Sequence, residues 1–582
     1  MKRAILLTAA TLGVLGAAFA PVSPPYDPVL AAAVGANRCA PPGASVAGLF
    51  AAARAYAAAE PAKGPPPLMA GIGATTMPVT TRTPEAQAYF DQGLRMLHGF
   101  NHAEAVRAFK EAQRRDPACA MCFWGEAFAL GPNINAAMDP AQNPEAFAAA
   151  RAAFARMDGA TDKEQALIEA MLLRYTRRAP TDRAHLDRAF AEAMRAVADD
   201  YPQDDVIQTF AIEAMMDTQP WNYWQAGGRE PVGYTADMVA RAEAVLKRNP
   251  RDVGASHLYI HLVEASADPW RAERAADALG RLAPNAGHLV HMPAHIYYRT
   301  GRFRESIRAN LQAAKADENY IAAASPNPMY QYGYYAHNLH FVLTSAQMIG
   351  DARTALAMAT KLDAALPVEM ARAMPLAQPV KAAPWFAKAQ FATPEAILAD
   401  AQPAAGVDFV TAAWRYARAV AYIGLGEFKF AREESGKIDA LGDNGDFSAM
   451  NAAGMPTGDV LTLMTTVIEG KALMAEGRHA EAVAIFEAAT ALQAKLPYME
   501  PPYFYYPVRQ SLAAALVAAG QPARAEIEFL HTLTENPNSA YAFWGLSEAR
   551  RAQGDRAGAS AARRFFNAAW AGDRRALSLK TL

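Results

Sequence analysis

Cysteine is scarce in this chain, with three in 582 residues, too few to staple a fold by disulfides. Neither sign of charge is in excess: 56 Lys and Arg against 58 Asp and Glu leave a formal charge of −2, which removes the basic footprint of a nucleic-acid binder. Beyond the first twenty residues no segment reaches about 18 uninterrupted apolar positions, so the mature chain has no expected membrane span. Local catalytic signatures are missing as well. The sequence holds no P-loop, no G-x-S-x-G elbow, no Rossmann fingerprint and no H-E-x-x-H, so nucleotide, acyl-serine, dinucleotide and standard zinc-protease chemistry have no local support.

The cysteines that are present say little about redox work. Cys119 and Cys122 form a C-A-M-C pair, and Phe123 stands where a c-type haem attachment needs His. In an oxidising compartment the pair can close a structural disulfide, while Cys39 has no obvious partner. The opening MKRAILLTAATLGVLGAAFA joins Lys2 and Arg3 to a short apolar run ending in small residues, the form of a secretory signal peptide. Cleavage is expected after Ala18, which places the mature protein in the periplasm or outside the cell.

Apolar residues make up 52% of the chain, ample for several domains or one long repeat array. Residues 19–82 are rich in Pro, Gly and Ala, and an irregular lead-in is expected there, with one short helix near 43–59. From residue 83 the pattern changes to Ala-rich segments of 3.6-residue periodicity separated by short Gly, Asn-Pro or Asp-Pro turns, which predicts an all-helical body.

Those helices recur every 34 residues. Gly93, Ala105, Phe109, Ala112 and Pro117 mark one unit. Pro250 and Pro284 are 34 apart, and so are the units opened by Gly520 and Gly554. Gly520, Ala525, Phe529 and Pro537 repeat the internal offsets, as do Gly477, Ala482, Phe486 and Ala489. This pattern resembles the tetratricopeptide repeat family, and the resemblance implies an all-α superhelical array of helix–turn–helix units. It divides the chain into an N-terminal array over 83–366, a linker or insertion over 367–406 and a C-terminal array over 407–582. Further insertions are expected at 131–144, 219–235, 325–336 and 443–457. Aromatic clusters at Trp221, Tyr223 and Trp224, at Tyr330 to Tyr335 and at Tyr498 to Tyr506 are placed to roof a groove.

Histidine is distributed unevenly. Seven of twelve lie between His257 and His340, where an even scatter would put about two. His257 and His261 are spaced i, i+4, as are His291 and His295, so each pair shares one helical face. The two pairs are themselves 34 residues apart. The family resemblance implies that His257, His261, His288, His291, His295, His337 and His340 line the concave wall, with Glu264 and Glu213 also inward. Such a set suits a transition metal, copper first, with zinc or iron as alternatives. Glu264 or Glu213 would serve as a ligand or general base.

The function expected is a metal-dependent oxidoreductase, or a hydrolase at zinc, acting on a small or peptide-like ligand in the groove. The alternatives are a non-enzymatic scaffold for a peptide or protein partner and a metal storage or delivery protein. Met215, Met216, Met292 and Met348 read as core filler, Arg509 as a solvated or salt-bridged side chain before a holder of an anionic substrate group, and His98, His102 and His479 as surface residues at turns.

Overall fold

A computed structural model describes residues 64–225, 227–323 and 329–582. The signal peptide, the short helix expected at 43–59 and Cys39 lie outside the described residues. The described chain is almost entirely helical, with one two-residue antiparallel ribbon pairing Trp224–Gln225 with Glu230–Pro231. Consecutive helices stack as antiparallel pairs, beginning with Pro84–His98 against His102–Arg115 and ending with Ala540–Ala552 against Arg556–Ala569. Residues 64–82 run without helix over the first pair. There the Met69 amide donates to Gln92 (2.7 Å) and the Met77 amide to Asp91 (3.2 Å).

Small residues decide how close the helices come. The Phe109 ring sits between Gly93 of its own unit and Gly125 of the next. A Cβ built on either glycine would lie 2.6 Å or 2.4 Å from that ring, closer than any larger residue tolerates. Phe486 against Gly470 and Phe529 against Gly545 repeat the contact toward the C-terminus, at 2.7 Å and 2.1 Å. The array is thus of tetratricopeptide type by its packing as well as its spacing.

Three features depart from the sequence expectation. Residues 367–406, expected as a linker or insertion, are helical. They form the helices Val368–Ala373, Gln378–Phe391 and Pro394–Ala399, and the middle one packs between Ala352–Ala365 and Asp408–Gly424. Secondly, the helix opening at Gly287 is split into Gly287–His291 and Pro293–Arg299, because Pro293 has no amide hydrogen to continue the ladder. Thirdly, His98 and His102 are buried rather than superficial. His102 Nδ1 meets the Ala129 carbonyl at 2.9 Å, and its Nε2 meets the Asn133 amide at 3.1 Å. Cys119 and Cys122 are joined in a disulfide.

The superhelix curls until its end touches its middle. The Ala571 amide donates to the Ile349 carbonyl (2.9 Å), Arg304 donates to the Trp570 carbonyl (3.1 Å), and the Trp570 ring lies over Gly350. This closure carries residues 498–507 over the inner face of the histidine-bearing helices.

Candidate metal centre

Local capping sets where the first of those helices begins. Asp252 accepts from the Ala255 amide at 2.8 Å and starts the helix Val253–Val263, a cap of about 1 kcal/mol. His257 and His261 then fall on one face. Gly287–His291 brings His288 and His291 beside them, Pro293–Arg299 brings His295, and Tyr335–Met348 brings His337 and His340.

Six imidazoles form one continuous cluster. Ring centroids are 5.0 Å apart for His257 and His261, 4.9 Å for His257 and His288, 5.6 Å for His261 and His295, 4.7 Å for His291 and His295, and 4.8 Å for His291 and His337. Phe100 underlies the first three rings, 4.4 Å from His257 and 5.5 Å from His288, and Phe341 underlies the second three at 4.9–5.0 Å. Trp221 meets His261 edge-on at 5.1 Å. Phe100 and Trp221 both have positive φ, 53° and 63°, a conformation that costs a bulky residue on the order of 1–3 kcal/mol and concentrates at functional sites.

Hydrogen bonds fix the tautomers. Nδ1 of His257 lies 2.7 Å from the His98 carbonyl oxygen. A carbonyl only accepts, so Nδ1 holds the proton and Nε2 keeps its lone pair. His261 directs Nδ1 at Glu264 (3.0 Å) and His291 at the Asn310 side-chain oxygen (2.6 Å), whereas His295 Nδ1 is ion-paired with Glu264 and with Glu500 (2.9 Å). Asn310 is itself oriented by donating to the Ser306 carbonyl at 2.8 Å. Carboxylates and carbonyls behind Nδ1 are the usual outer partners of metal-binding imidazoles, which they orient and make more basic.

The Nε2 atoms left over face one another, His257 and His288 at 3.1 Å, His291 and His295 at 2.8 Å. Two bare lone pairs at that distance repel unless a proton or a cation lies between them. Two nitrogens on one tetrahedral ion with bonds of about 2.0–2.1 Å sit roughly 3.3 Å apart. His257, His261 and His288 have ligand atoms within 4.8 Å of one another, as do His291, His295 and His337, and Glu264, His295 and Glu500. Because the two carboxylates stand behind His261 and His295, the two imidazole trios are the better-prepared ligand sets.

Burial reinforces this chemistry. It pushes His257, His261, His288, His291 and His337 well below the usual imidazole range, helped by repulsion from neighbouring rings. His340 is held down to about 3 by burial alone. These rings are neutral at ordinary pH and free to ligate without displacing a proton. His295 is the exception. Burial acts to lower it, but Glu264 and Glu500 overcome that and raise it to about 10, so without a metal it is an imidazolium that donates from Nε2 to His291.

The cluster opens on a cavity of about 70 Å³ lined by His261, His288, His295, His337 and His340 and roofed by Trp221, Tyr503 and Tyr505. His261 Nε2, His288 Nδ1 and His340 Nδ1 are buried there without hydrogen-bond partners in the structure. Each orphan costs about 1–3 kcal/mol unless something binds it.

Other residues singled out by the sequence stand elsewhere. Glu213 is buried beside Arg174, which pairs with Asp217 at 2.8 Å; it lines neither the cavity nor any of the three ligand groups. Trp224 donates to the Leu262 carbonyl (2.6 Å) and is not part of the roof. Arg509 pairs with Glu528 at 2.7 Å. Glu500 and Asn310 join the site without any motif in the sequence to mark them. Their only sequence signal was, for Glu500, its place inside the aromatic insertion.

Neither a protein-family profile nor a curated protein sequence matches this chain. Solved structures similar to it include the APC/C Cut9–Hcn1 heterotetramer, at 11% identity over 85% of this chain and 75% of that one, TM-score 0.28. Human IFIT1 with m7Gppp-AAAA aligns at 12% identity over 83% and 94%, TM-score 0.30, and yeast Tom70 at 12% over 83% and 92%, TM-score 0.29. The tetratricopeptide-like fold rests on the chain's own helix pairs and glycine-to-phenylalanine packing.

Proposed function

We propose that the protein holds two transition-metal ions in its concave wall, one on His257, His261 and His288 and one on His291, His295 and His337. Glu264 and Glu500 act behind the ligands, and His340 faces the shared cavity. The observation that carries this reading is the inward set of Nε2 atoms, with three of the six rings anchored at Nδ1 by hydrogen-bond acceptors and a fourth, His295, ion-paired there. An all-nitrogen donor set favours copper, then zinc, over iron, which takes carboxylate more readily. With copper the centre would do oxidoreductase chemistry, and with zinc, hydrolysis. Loading the second trio would release the Nε2 proton of His295, so uptake there tightens as pH rises.

The peptide-scaffold alternative calls for an open groove. Against it stands the segment 498–507, whose Tyr498, Glu500, Tyr503 and Tyr505 line the small cavity on which the histidines open. The leader Met1–Ala18 would send the protein to an oxidising compartment, which N-terminal sequencing of the mature protein tests. The metal reading is tested by elemental analysis after loading with copper or zinc and desalting. About two ions per chain are expected, falling to about one in His257→Ala/His288→Ala and in His291→Ala/His337→Ala. Protein that retains no stoichiometric ion returns the scaffold reading to first place.

A further inference from the structure

The wall that roofs the histidines has a second side. Tyr498, Met499, Glu500, Pro502, Tyr503 and Tyr505 line both the small cavity and a neighbouring one of about 520 Å³, the size of a small-molecule site. Aromatic faces dominate this outer cavity: Trp270, Tyr298, Tyr498 and Phe504, with Phe543 and Phe565 stacked on each other at 5.2 Å. Flat rings of this kind receive another flat ring by stacking.

Charge completes the description. Among the acids and bases that line the cavity, Arg550 pairs with Glu526 (2.8 Å) and Glu535 with Arg509 (3.6 Å), Glu500 is held by His295 and Tyr498, and Arg229 lines it from an exposed position. Arg299 is different. Its guanidinium lies 5.4 Å from the Tyr498 ring centroid and donates to the Ser266 carbonyl (3.1 Å). Its Nε is buried without a partner, and no carboxylate among the described residues forms an ion pair with it. A partly buried cation at an aromatic wall is complementary to an anion whose body is aromatic, and a guanidinium takes a carboxylate with particular geometric ease.

We infer that the outer cavity binds an aryl carboxylate, its acid group on Arg299 and its ring system among Trp270, Tyr298 and Phe543. The inference does not depend on metal in the inner site. Calorimetric titration of the full chain with naphthylacetate and with its uncharged analogue naphthylethanol tests it. The acid should bind about tenfold or more tighter than the alcohol, the gain of a charge-assisted pair. Arg299→Met should erase that preference while leaving alcohol binding unchanged, Arg299→Lys should keep part of it, and Leu546→Trp, which fills the cavity, should weaken both ligands. Thermal melts establish that each variant is folded. Equal binding of acid and alcohol by the wild type, absence of binding at millimolar acid, or an acid preference that survives in folded Arg299→Met would overturn the assignment, and the wild-type comparison decides even if a variant does not fold.

Discussion

In the C-terminal half, the helix Thr457–Glu476 buries Val460, Leu463, Met464 and Val467. In the N-terminal half, the helix Val253–Val263 buries Ser256, His257 and His261 among its apolar residues. Both halves use one glycine-to-phenylalanine wedge, Gly125 on Phe109 in the first and Gly545 on Phe529 in the second. The two C-terminal histidines, His479 and His531, make no ring contact with another imidazole among the described residues, whereas six N-terminal ones form a cluster. The wedges therefore suffice to build the array. Buried nitrogens without partners occur in both halves, His479 Nδ1 and Trp414 Nε1 among them, so what sets the N-terminal half apart is the contact of six imidazoles with one another.

The sharpest way to break this comparison is to strip the histidines. Replacing His257, His261, His291 and His295 together by Ala should abolish metal retention, while His479→Ala/His531→Ala leaves it unchanged; metal analysis of the two proteins side by side reads the difference. Equal loss in both would mean the binding is non-specific.

Glu213 gives the next largest effect and separates burial from function within the N-terminal half. Burial raises its carboxyl to about 7, against the attraction of Arg174. In the unfolded chain the group titrates near its ordinary value, so between about pH 4.5 and 7 the folded state binds more protons and stability falls as pH rises. A shift of that size is on the order of 3 kcal/mol. Glu213→Gln should therefore be more stable than wild type in urea melts at about pH 8, converge with it near pH 4.5, and hold metal as wild type does.

Smaller still, Gly545→Ala should cost about 1–3 kcal/mol by driving a methyl into the Phe529 ring. It leaves metal content intact, since that wedge stands apart from the histidine helices. A lowered melting temperature with unchanged stoichiometry is the expected pair of results. Coupled loss of both would show that the two halves are not separable.

How much of this was written locally explains what was legible. The wedge residues and the 34-residue register are short-range, so they place His257, His261, His288, His291 and His295 on one wall. Glu500 reaches that wall only because the array curls back over more than two hundred residues, which no local pattern records. The anchors of the tautomers come from a backbone carbonyl at His98 and from Asn310 on the paired helix Phe303–Ala323. The helix Gln378–Phe391 was masked by its prolines. Pro379 stands in the first turn, where a missing amide hydrogen costs nothing, and Pro384 is tolerated inside the helix.

Anomalous diffraction from copper- or zinc-loaded crystals, recorded at the metal edge, tests the central claim most directly. Two peaks are predicted, each about 2.0–2.2 Å from Nε2 atoms, one within His257, His261 and His288 and the other within His291, His295 and His337. Peaks confined to surface carboxylates, or an inner cavity that stays without anomalous density at full loading, would contradict the account.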